Sequence, residues 1–215
     1  MDVICIDAEH APFSRKDIDS CVLACRSVGL PAIVRLPATR AEHILNALDI
    51  GADGFIAPHM MTREDAQFIV KKSRYGQGRG YAGGTRNAGI KSMKEVVEHG
   101  NASATVIGQI EDVEALENLD EILSIDGIDC FFIGRSDLTI SMGLTDSNDP
   151  KVISAIEDIC REAKAKGRVI GTFTANLDEI LHWRRLGISL FLLGSDQGLM
   201  LNGAKSLSST VRPYF

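Results

Sequence analysis

The sequence predicts an α/β fold in which parallel strands alternate with helices, either a doubly wound sheet or a barrel. Seven short apolar runs rich in β-branched residues indicate strands, at residues 3–7, 32–36, 54–58, 105–111, 130–134, 169–173 and 190–194. Amphipathic segments between these runs indicate helices. Because the runs are apolar throughout, we expect both faces of the sheet to be covered, which is typical of parallel sheets.

The segment that follows the first strand favours the barrel. A dinucleotide-binding sheet would carry a glycine-rich turn there, and the segment IDAEHAP contains no glycine. Several strands also end in polar residues, which the carboxyl-terminal face of a barrel would bring together. No linker interrupts the alternation, so we interpret residues 1–215 as a single barrel domain.

Helix starts are marked by side chains that can cap the free N–H groups of a first turn. These signals pair Ser14 with Asp17, Thr39 with Glu42, Thr62 with Asp65, and Asn176 with Glu179, and they include Asp149 before Pro150. The longest connection between strands contains the glycine-rich stretch 76–86. We predict a mobile lid there, with a phosphate cradle as the alternative, because the stretch lacks the GKS ending of a phosphate-binding loop.

The composition limits the classes of function. The chain has 215 residues, 45% of them hydrophobic and 24% charged, which predicts a soluble globular protein. A net charge of -6 without a basic cluster argues against nucleic acid or an anionic membrane as a partner. Five cysteines without a CxxC pair, no apolar run long enough for a membrane span and no basic leader together predict a cytoplasmic location.

Two acidic residues close apolar strands and are candidate metal ligands. Glu111 and Asp137 should therefore face the mouth of the barrel. A pair of carboxylates that leaves further positions to water and substrate suits Mg²⁺, Mn²⁺ or Co²⁺. The alternative is that both acids cap helices or form salt bridges.

Arg35 and His10 are candidate catalytic residues. Arg35 lies within the apolar run AIVRLP, and a buried guanidinium needs an anionic partner. A substrate carboxylate or enolate oxygen would supply one, and an internal ion pair with Asp7 or Glu9 is the alternative. His10 follows two acids at a strand end, which suits a general base, although a structural role stays open. The sequence leaves the role of His59 open.

Six stretches occur in one order over nearly the whole chain: IDAEHAP, IVRLP, LDIGADGFIAPHM, GRGYAGGTR, IGQIED and FIGRSDLTISMG. On these stretches the chain resembles the HpcH/HpaI family of class II pyruvate aldolases, the 4-hydroxy-2-oxoheptanedioate aldolase group. The resemblance implies a (β/α)₈ TIM barrel of the phosphoenolpyruvate/pyruvate type. It also implies that the first strand and helix are lacking here, so that seven of eight strands remain and a sheet edge is exposed.

The resemblance implies roles for individual residues. Glu111 and Asp137 would bind the divalent metal ion, Arg35 would hold the keto or enolate oxygen of pyruvate, and His10 would belong to the acid/base apparatus. Asp49 matches an acid that family members pair with this histidine, often across a subunit contact. The substrate would be contacted by Gln109, by the backbone N–H of Ser136 and by Gly134, with Asp7 placed near Arg35.

The activity implied is cleavage or formation of a 4-hydroxy-2-keto acid, with pyruvate and an aldehyde on the other side of the reaction. No Schiff-base lysine is needed. Two alternatives stay open: a citrate-synthase-like condensing enzyme of siderophore pathways, and a truncated, non-catalytic subunit that binds keto acids or serves assembly. The family also implies a homo-oligomer, with a hexamer suspected, and Arg135 stands where proline is common, which suggests a more anionic substrate.

Overall fold

The structure is a computed structural model that describes residues 2–89 and 91–215. It contains one parallel sheet of seven strands in sequence order, so each strand pairs with the next along the chain. The strands are β1 Ile4–Asp7, β2 Ala32–Arg35, β3 Gly54–Ala57, β4 Thr105–Ile110, β5 Cys130–Ile133, β6 Ile170–Thr174 and β7 Ile188–Leu193. Each overlaps a predicted strand, so the alternating α/β fold with parallel strands is confirmed.

Ten α-helices and two short 3₁₀ helices are found in the described part of the chain. The α-helices are α1 Arg15–Ser27, α2 Ala41–Asp49, α3 Arg63–Ser73, α4 Met93–Ser103, α5 Val113–Glu117, α6 Leu119–Leu123, α7 Arg135–Ser141, α8 Pro150–Ala165, α9 Ile180–Arg185 and α10 Asp196–Val211. The 3₁₀ helices are Leu177–Glu179 and Arg212–Tyr214. Three predicted caps are confirmed: Ser14 begins α1, Thr62 begins α3, and Asp149 begins α8 ahead of Pro150.

One predicted helix start, at Thr39, is wrong, and the start at Asn176 is confirmed with a different partner. The N-cap of α2 is Arg40, because the Thr39 hydroxyl donates instead to the carbonyl of Pro58 at 2.6 Å, just beyond the end of β3. Asn176 is a helix N-cap as predicted, since its side chain accepts the N–H of Asp178 at the start of the 3₁₀ helix Leu177–Glu179, which is followed directly by α9. Glu179, its expected capping partner, points elsewhere and forms an ion pair with Arg135.

The sheet separates two hydrophobic clusters. The larger one lies between the strands and the helices, and the smaller one contains Ile33, Ile56, Ile107, Cys130 and Phe132 on the opposite, inner face of the sheet. Successive side chains of a strand point to opposite faces, so residues two positions further along share the inner face. On β1, β2 and β4, the inward-facing residues beyond the inner cluster are polar. These polar side chains therefore lie together at one end of the sheet.

An ion pair holds the ends of β5 and β6 together. The guanidinium of Arg135 lies 2.9 Å from the Glu179 carboxylate and donates to the Ser147 carbonyl and the Asn148 side chain. It also lies over the ring of Trp183, 5.3 Å from its centre. The positive charge of Arg135 is therefore paired with Glu179, and the preference for a more anionic substrate stays a prediction.

The glycine-rich stretch 76–86 is attached to the preceding helices by two arginines. Arg79 is buried, lies 3.3 Å from the carboxylate of Asp49 and covers the ring of Tyr75 at 4.2 Å. Arg86 contacts the carboxylate of Asp19 at 2.6 Å and donates to the carbonyl of Ile50. A mobile lid at this stretch stays a prediction. Movement of the whole stretch would break the contacts that Arg79 and Arg86 make.

Gly54 at the start of β3 provides a test of the packing between strands. A Cβ atom there would lie 2.4 Å from the backbone oxygen of Thr105, and a strand backbone cannot yield as a flexible side chain does. We expect Gly54→Ala to lower the free energy of unfolding by about 1–3 kcal/mol in urea denaturation. Gly84→Ala is the matched control, because nothing lies within 4 Å of its new methyl group. Equal stability of the two variants would contradict the packing described.

The pair between Glu179 and Arg135 predicts a pH-dependent contribution to stability. Burial alone would raise the pKa of Glu179, but Trp183, Arg135 and Thr174 together lower it. The contribution of the ionised Glu179 carboxylate to stability is therefore complete above the pKa of the unfolded state, about 4.3. This contribution is lost as the pH falls through the lower pKa of the folded state. We expect Glu179→Gln to cost about 1–3 kcal/mol at pH 7 and much less near pH 3, measured by urea denaturation.

The control for this pair is Glu98→Gln, which removes an exposed carboxylate 3.9 Å from Lys94 on α4. Exposed pairs of this kind contribute less than about 0.5 kcal/mol, so stability should change little at either pH. A destabilisation by Glu179→Gln that stays constant from pH 7 to pH 3 would speak against the ion pair.

Candidate metal and substrate site

Three side chains that can bind a metal ion meet at the carboxyl ends of the strands. Glu9, His59 and Glu111 each offer one ligand atom, and these atoms all lie within 4.8 Å of one another. Nε2 of His59 is 3.7 Å from Glu9, and Nδ1 is 3.6 Å from Glu111. The residues follow β1, β3 and β4, and they come together because all strands of the sheet run parallel, with β3 paired to β4 and only β2 between β1 and β3. We call these three residues the donor cluster.

The carboxylate of Glu111 is the most buried member of the donor cluster, with 1% of the side chain exposed. It accepts the backbone N–H of His59 at 2.8 Å and an N–H of the Gln109 amide. A Cβ atom on Gly134 would lie 2.6 Å from Glu111 Oε2, so only glycine leaves room for this carboxylate. Burial raises the pKa of Glu111, with Gln109 and His59 opposing the shift.

Arg35 lies beside the donor cluster and is held by two acids. Its Nε and Nη2 atoms donate to the two oxygens of Asp7, at 2.9 and 2.6 Å, and Nη1 lies 3.4 Å from Glu9. The internal ion pair that the sequence left open is therefore present, with both acids. Burial alone would raise the pKa of Asp7, but the hydrogen bonds and charge of Arg35 lower it overall. This pairing fixes the plane of the guanidinium.

The site is short of positive charge. It brings together the carboxylates of Asp7, Glu9, Glu111 and Asp112, against the single fixed cation of Arg35. Among the residues that the structure describes, the buried atoms Glu9 Oε2 and Gln109 Oε1 have no hydrogen-bond partner. Buried acceptors without partners are costly, and an excess of carboxylates attracts cations. The donor set therefore fits a divalent metal ion.

His59 carries a network of contacts although more than half of its side chain is exposed. Its Nδ1 lies 3.0 Å from Asp112 Oδ2. Burial alone would lower the pKa of His59, but this hydrogen bond and the charges of Glu111, Asp112 and Glu9 raise it overall. His59 has a φ of 54°, and no other non-glycine residue in the described part of the chain has a positive φ.

Other predicted site residues are placed less tightly. His10 is 60% exposed, and its Nε2 lies 4.0 Å from Glu9. Within the described residues of this chain no hydrogen bond or ion pair joins His10 to Asp49, whose carboxylate contacts Arg79 instead. Burial raises the pKa of Asp49, and Arg79 opposes the shift.

Residues of α7 complete the predicted set. Ser136 is exposed and Asp137 is half-buried, both in the first turn of this helix. Asp137 is outside the donor cluster as the structure defines it. Its connection to the cluster is through the chain: Gly134, three positions earlier, lies so close to Glu111 that an added Cβ atom would be 2.6 Å from Glu111 Oε2. The pairing of Asp137 with Glu111 as metal ligands stays a prediction.

Two members of the donor cluster were missed as candidate metal ligands by the sequence analysis. Glu9 was considered only as a partner of Arg35 or His10, and His59 was left open. A usable signal existed for both, because Glu9 lies two positions after Asp7 and His59 follows the end of β3 directly. Both positions belong to the carboxyl-terminal edge of the sheet, where groups from different strands converge.

No helix in the described residues is both long enough and apolar enough to span a membrane. A model of the HpcH/HpaI aldolase/citrate lyase family matches residues 1–203. A hydroxypyruvate/pyruvate aldolase of Paraburkholderia phytofirmans is 30% identical over 220 residues, which cover 98% of this chain and 85% of that protein.

Solved structures agree with this match. An HpcH/HpaI aldolase/citrate lyase family protein from Burkholderia cenocepacia J2315 has a TM-score of 0.92 at 30% identity, covering 98% of this chain and 86% of that one. The citrate synthase SbnG has a TM-score of 0.88 at 29% identity, covering 99% of this chain and 84% of its own. The chain therefore belongs to the HpcH/HpaI aldolase/citrate lyase family.

Proposed function

We propose that this chain is a divalent-metal-dependent aldolase that cleaves or forms 4-hydroxy-2-keto acids, with pyruvate and an aldehyde on the other side. The observation that carries the proposal is the meeting of the donor cluster, which includes the buried carboxylate of Glu111, with Arg35 at the carboxyl ends of parallel strands. Membership of an aldolase family supports it, as does the similarity to a hydroxypyruvate/pyruvate aldolase over nearly the whole chain.

The metal ion would be Mg²⁺, Mn²⁺ or Co²⁺, held by Glu111 and Asp137. The excess of carboxylates at this site and the buried Gln109 oxygen without a hydrogen-bond partner in the described structure support a cation there. When bound, such an ion supplies Lewis-acid stabilisation of the negative charge that develops on the keto oxygen. Oxygen ligands suit all three ions, so the carboxylates alone do not select among them.

Arg35 would hold the keto or enolate oxygen of the substrate. Its two hydrogen bonds to Asp7 leave Nη1 as the nitrogen with the longest contact, 3.4 Å to Glu9. Nη1 donates no hydrogen bond within the described residues, so its N–H groups are available to a substrate oxygen. The substrate carboxylate would lie near the backbone N–H of Ser136 and the amide of Gln109, in the space that Gly134 leaves open.

His10 would act as the acid/base. In the cleavage direction it accepts the proton of the 4-hydroxyl group while the bond between C3 and C4 breaks and the aldehyde leaves. The electron pair passes to C3 and the keto oxygen as an enolate, and protonation of C3 then gives pyruvate. Exposure of His10 supports this role, because the ring can reach a substrate entering from solvent.

We further propose that Asp49 pairs with His10 across a contact between two copies of the chain. The chain would then be a single-domain protomer of a homo-oligomer, which we expect to be a hexamer. Within one chain Asp49 is paired with Arg79 rather than with His10. The last helix, α10, supports association, since its apolar side chains are exposed in the single chain, including Leu199, Met200, Leu201 and Leu207.

A citrate-synthase-like condensation is the second candidate function. The similarity to SbnG, with a TM-score of 0.88, favours it specifically. The two candidates differ in their substrates, because a condensing enzyme of that kind consumes acetyl-CoA together with oxaloacetate. Release of free thiol from acetyl-CoA in the presence of oxaloacetate, without pyruvate release from 4-hydroxy-2-keto acids, would replace the aldolase proposal by this one.

Removal of the metal ion tests the aldolase proposal. We expect EDTA to abolish pyruvate release from a 4-hydroxy-2-keto acid and added Mn²⁺ to restore it, followed with a coupled dehydrogenase. Glu111→Gln should lower kcat/KM by about 100-fold or more, because it removes a buried charged ligand of the ion. Glu114→Gln, an exposed residue on α5, is the matched control and should retain full activity. Cleavage that survives EDTA and Glu111→Gln would refute the proposal.

Arg35→Lys tests the role of the guanidinium. Lysine keeps the positive charge but cannot donate to both oxygens of Asp7 and to a keto oxygen at once. We expect kcat/KM for pyruvate in the condensation direction to fall by about 100-fold, as when one donor to a developing oxyanion is removed. Arg161→Lys, on an exposed face of α8, should change it less than threefold. A similar small change in both variants would remove Arg35 from the mechanism.

A further inference from the structure

We propose that His59 is a nitrogen ligand of the divalent metal ion and that Asp112 orients its ring. The inference rests on the proposed metal dependence of the site and deepens it, since it names an additional ligand. It is carried by four features of the structure: the position of the ring between two carboxylates, the contact of its second nitrogen, the backbone conformation of His59, and the unsatisfied oxygens around it.

The two ring nitrogens of His59 have different surroundings. Nδ1 lies 3.0 Å from Asp112 Oδ2, so an N–H on Nδ1 donates to this carboxylate. That leaves Nε2 with a lone pair, 3.7 Å from Glu9. Histidines that bind metal ions usually donate their other N–H to a carboxylate or carbonyl, which fixes the tautomer and the ring plane. His59 and Asp112 have this arrangement.

The backbone holds His59 in an unfavourable conformation. A φ of 54° for a side-chain-bearing residue costs about 1 kcal/mol or more and persists only where its surroundings enforce it. The enforcing contact is the hydrogen bond from the His59 N–H to Glu111 Oε1 at 2.8 Å. The same carboxylate thus binds the backbone of His59 and lies 3.6 Å from Nδ1 of its ring, so the two side chains are placed together.

The spacing of the donors suits a single ion. Bonds of about 2.1 Å in an octahedral site separate neighbouring ligand atoms by about 3.0 Å and opposite ones by about 4.2 Å. Nε2 of His59 and Glu9, 3.7 Å apart, fall between these two values, and the ligand atoms of Glu9, His59 and Glu111 all lie within 4.8 Å of one another, slightly wider than one octahedron. Beside them, Gln109 is 1% exposed and its Oε1 has no hydrogen-bond partner in the described structure, as is true of Glu9 Oε2. Water molecules on a bound ion would satisfy such acceptors.

A nitrogen ligand changes which ion the site prefers. Mg²⁺ binds almost exclusively to oxygen, whereas Mn²⁺ tolerates imidazole and Co²⁺ binds it well. With His59 as a ligand, the affinity for Co²⁺ should exceed that for Mg²⁺ by a wide margin. Loss of the imidazole should then weaken Co²⁺ binding much more than Mg²⁺ binding.

Pulsed electron paramagnetic resonance of the Mn²⁺-loaded full chain tests the ligand directly. Wild type should show the coupling of an imidazole ¹⁴N to the bound Mn²⁺, and His59→Asn should lose it. Asparagine is a suitable replacement because it tolerates positive φ better than most residues. His99→Asn, exposed on α4, is the matched control and should keep the coupling. A coupling that persists in His59→Asn, or is absent from wild type, overturns the inference.

Calorimetric titration of metal-free protein gives a second measurement. We expect His59→Asn to weaken Co²⁺ binding by at least about 10-fold and Mg²⁺ binding by less than about threefold. Asp112→Asn should weaken Co²⁺ binding by about 10-fold, because the imidazole ring is no longer oriented. Equal effects on both ions would overturn the inference. Asp112→Asn leaves the backbone of His59 unchanged, so it tests the idea even if His59→Asn does not fold.

The readouts separate this inference from the proposed function. Imidazole coupling together with metal-independent pyruvate release, or with no release at all, would leave His59 as a ligand and remove the aldolase mechanism. Metal-dependent release without imidazole coupling would retain the aldolase and remove His59.

Discussion

The buried carboxylate of Glu111 is the group on which the arrangement of the site depends. With 1% of its side chain exposed, it has almost no water to stabilise its charge, and its neighbours must do so. Gln109 and the backbone of His59 donate to it, and the absence of a side chain at Gly134 leaves space for it. A divalent cation would complete the compensation that these neutral donors begin.

The alternation of side chains along a strand explains why so many polar groups meet at one place. Cys5 packs against the inner cluster, Ile33 and Ile107 belong to it, and the next inward positions are Asp7, Arg35 and Gln109. The inner face is thus apolar in its interior and charged at its carboxyl-terminal end. The outer face stays apolar because helices cover it, so hydrophobic packing and chemistry occupy different parts of the same strands.

The sequence was sufficient to predict the strands, because seven short apolar runs mark where they lie. It was also sufficient to predict helix caps such as Ser14 and Thr62, whose hydrogen-bond partners are three residues away. Contacts between distant segments were not predictable in the same way. A pattern of residues does not reveal that Asp49 meets Arg79, 30 positions later, or that Thr39 bonds to Pro58 instead of capping α2. The donor cluster was missed in part for the same reason, because its three members come from three separate strand ends.

The sequence order of the strands has a consequence for how the chain folds as it leaves the ribosome. Each strand finds its partner in the segment made just before it, so the contact order is low for a parallel sheet. The longest connection between paired strands joins β3 to β4 and contains α3 and α4. The entropic penalty of closing such a loop grows only with the logarithm of its length. The strands that carry Asp7 and Arg35 and the strand that precedes Glu111 can therefore assemble while β7 and α10 are still being translated.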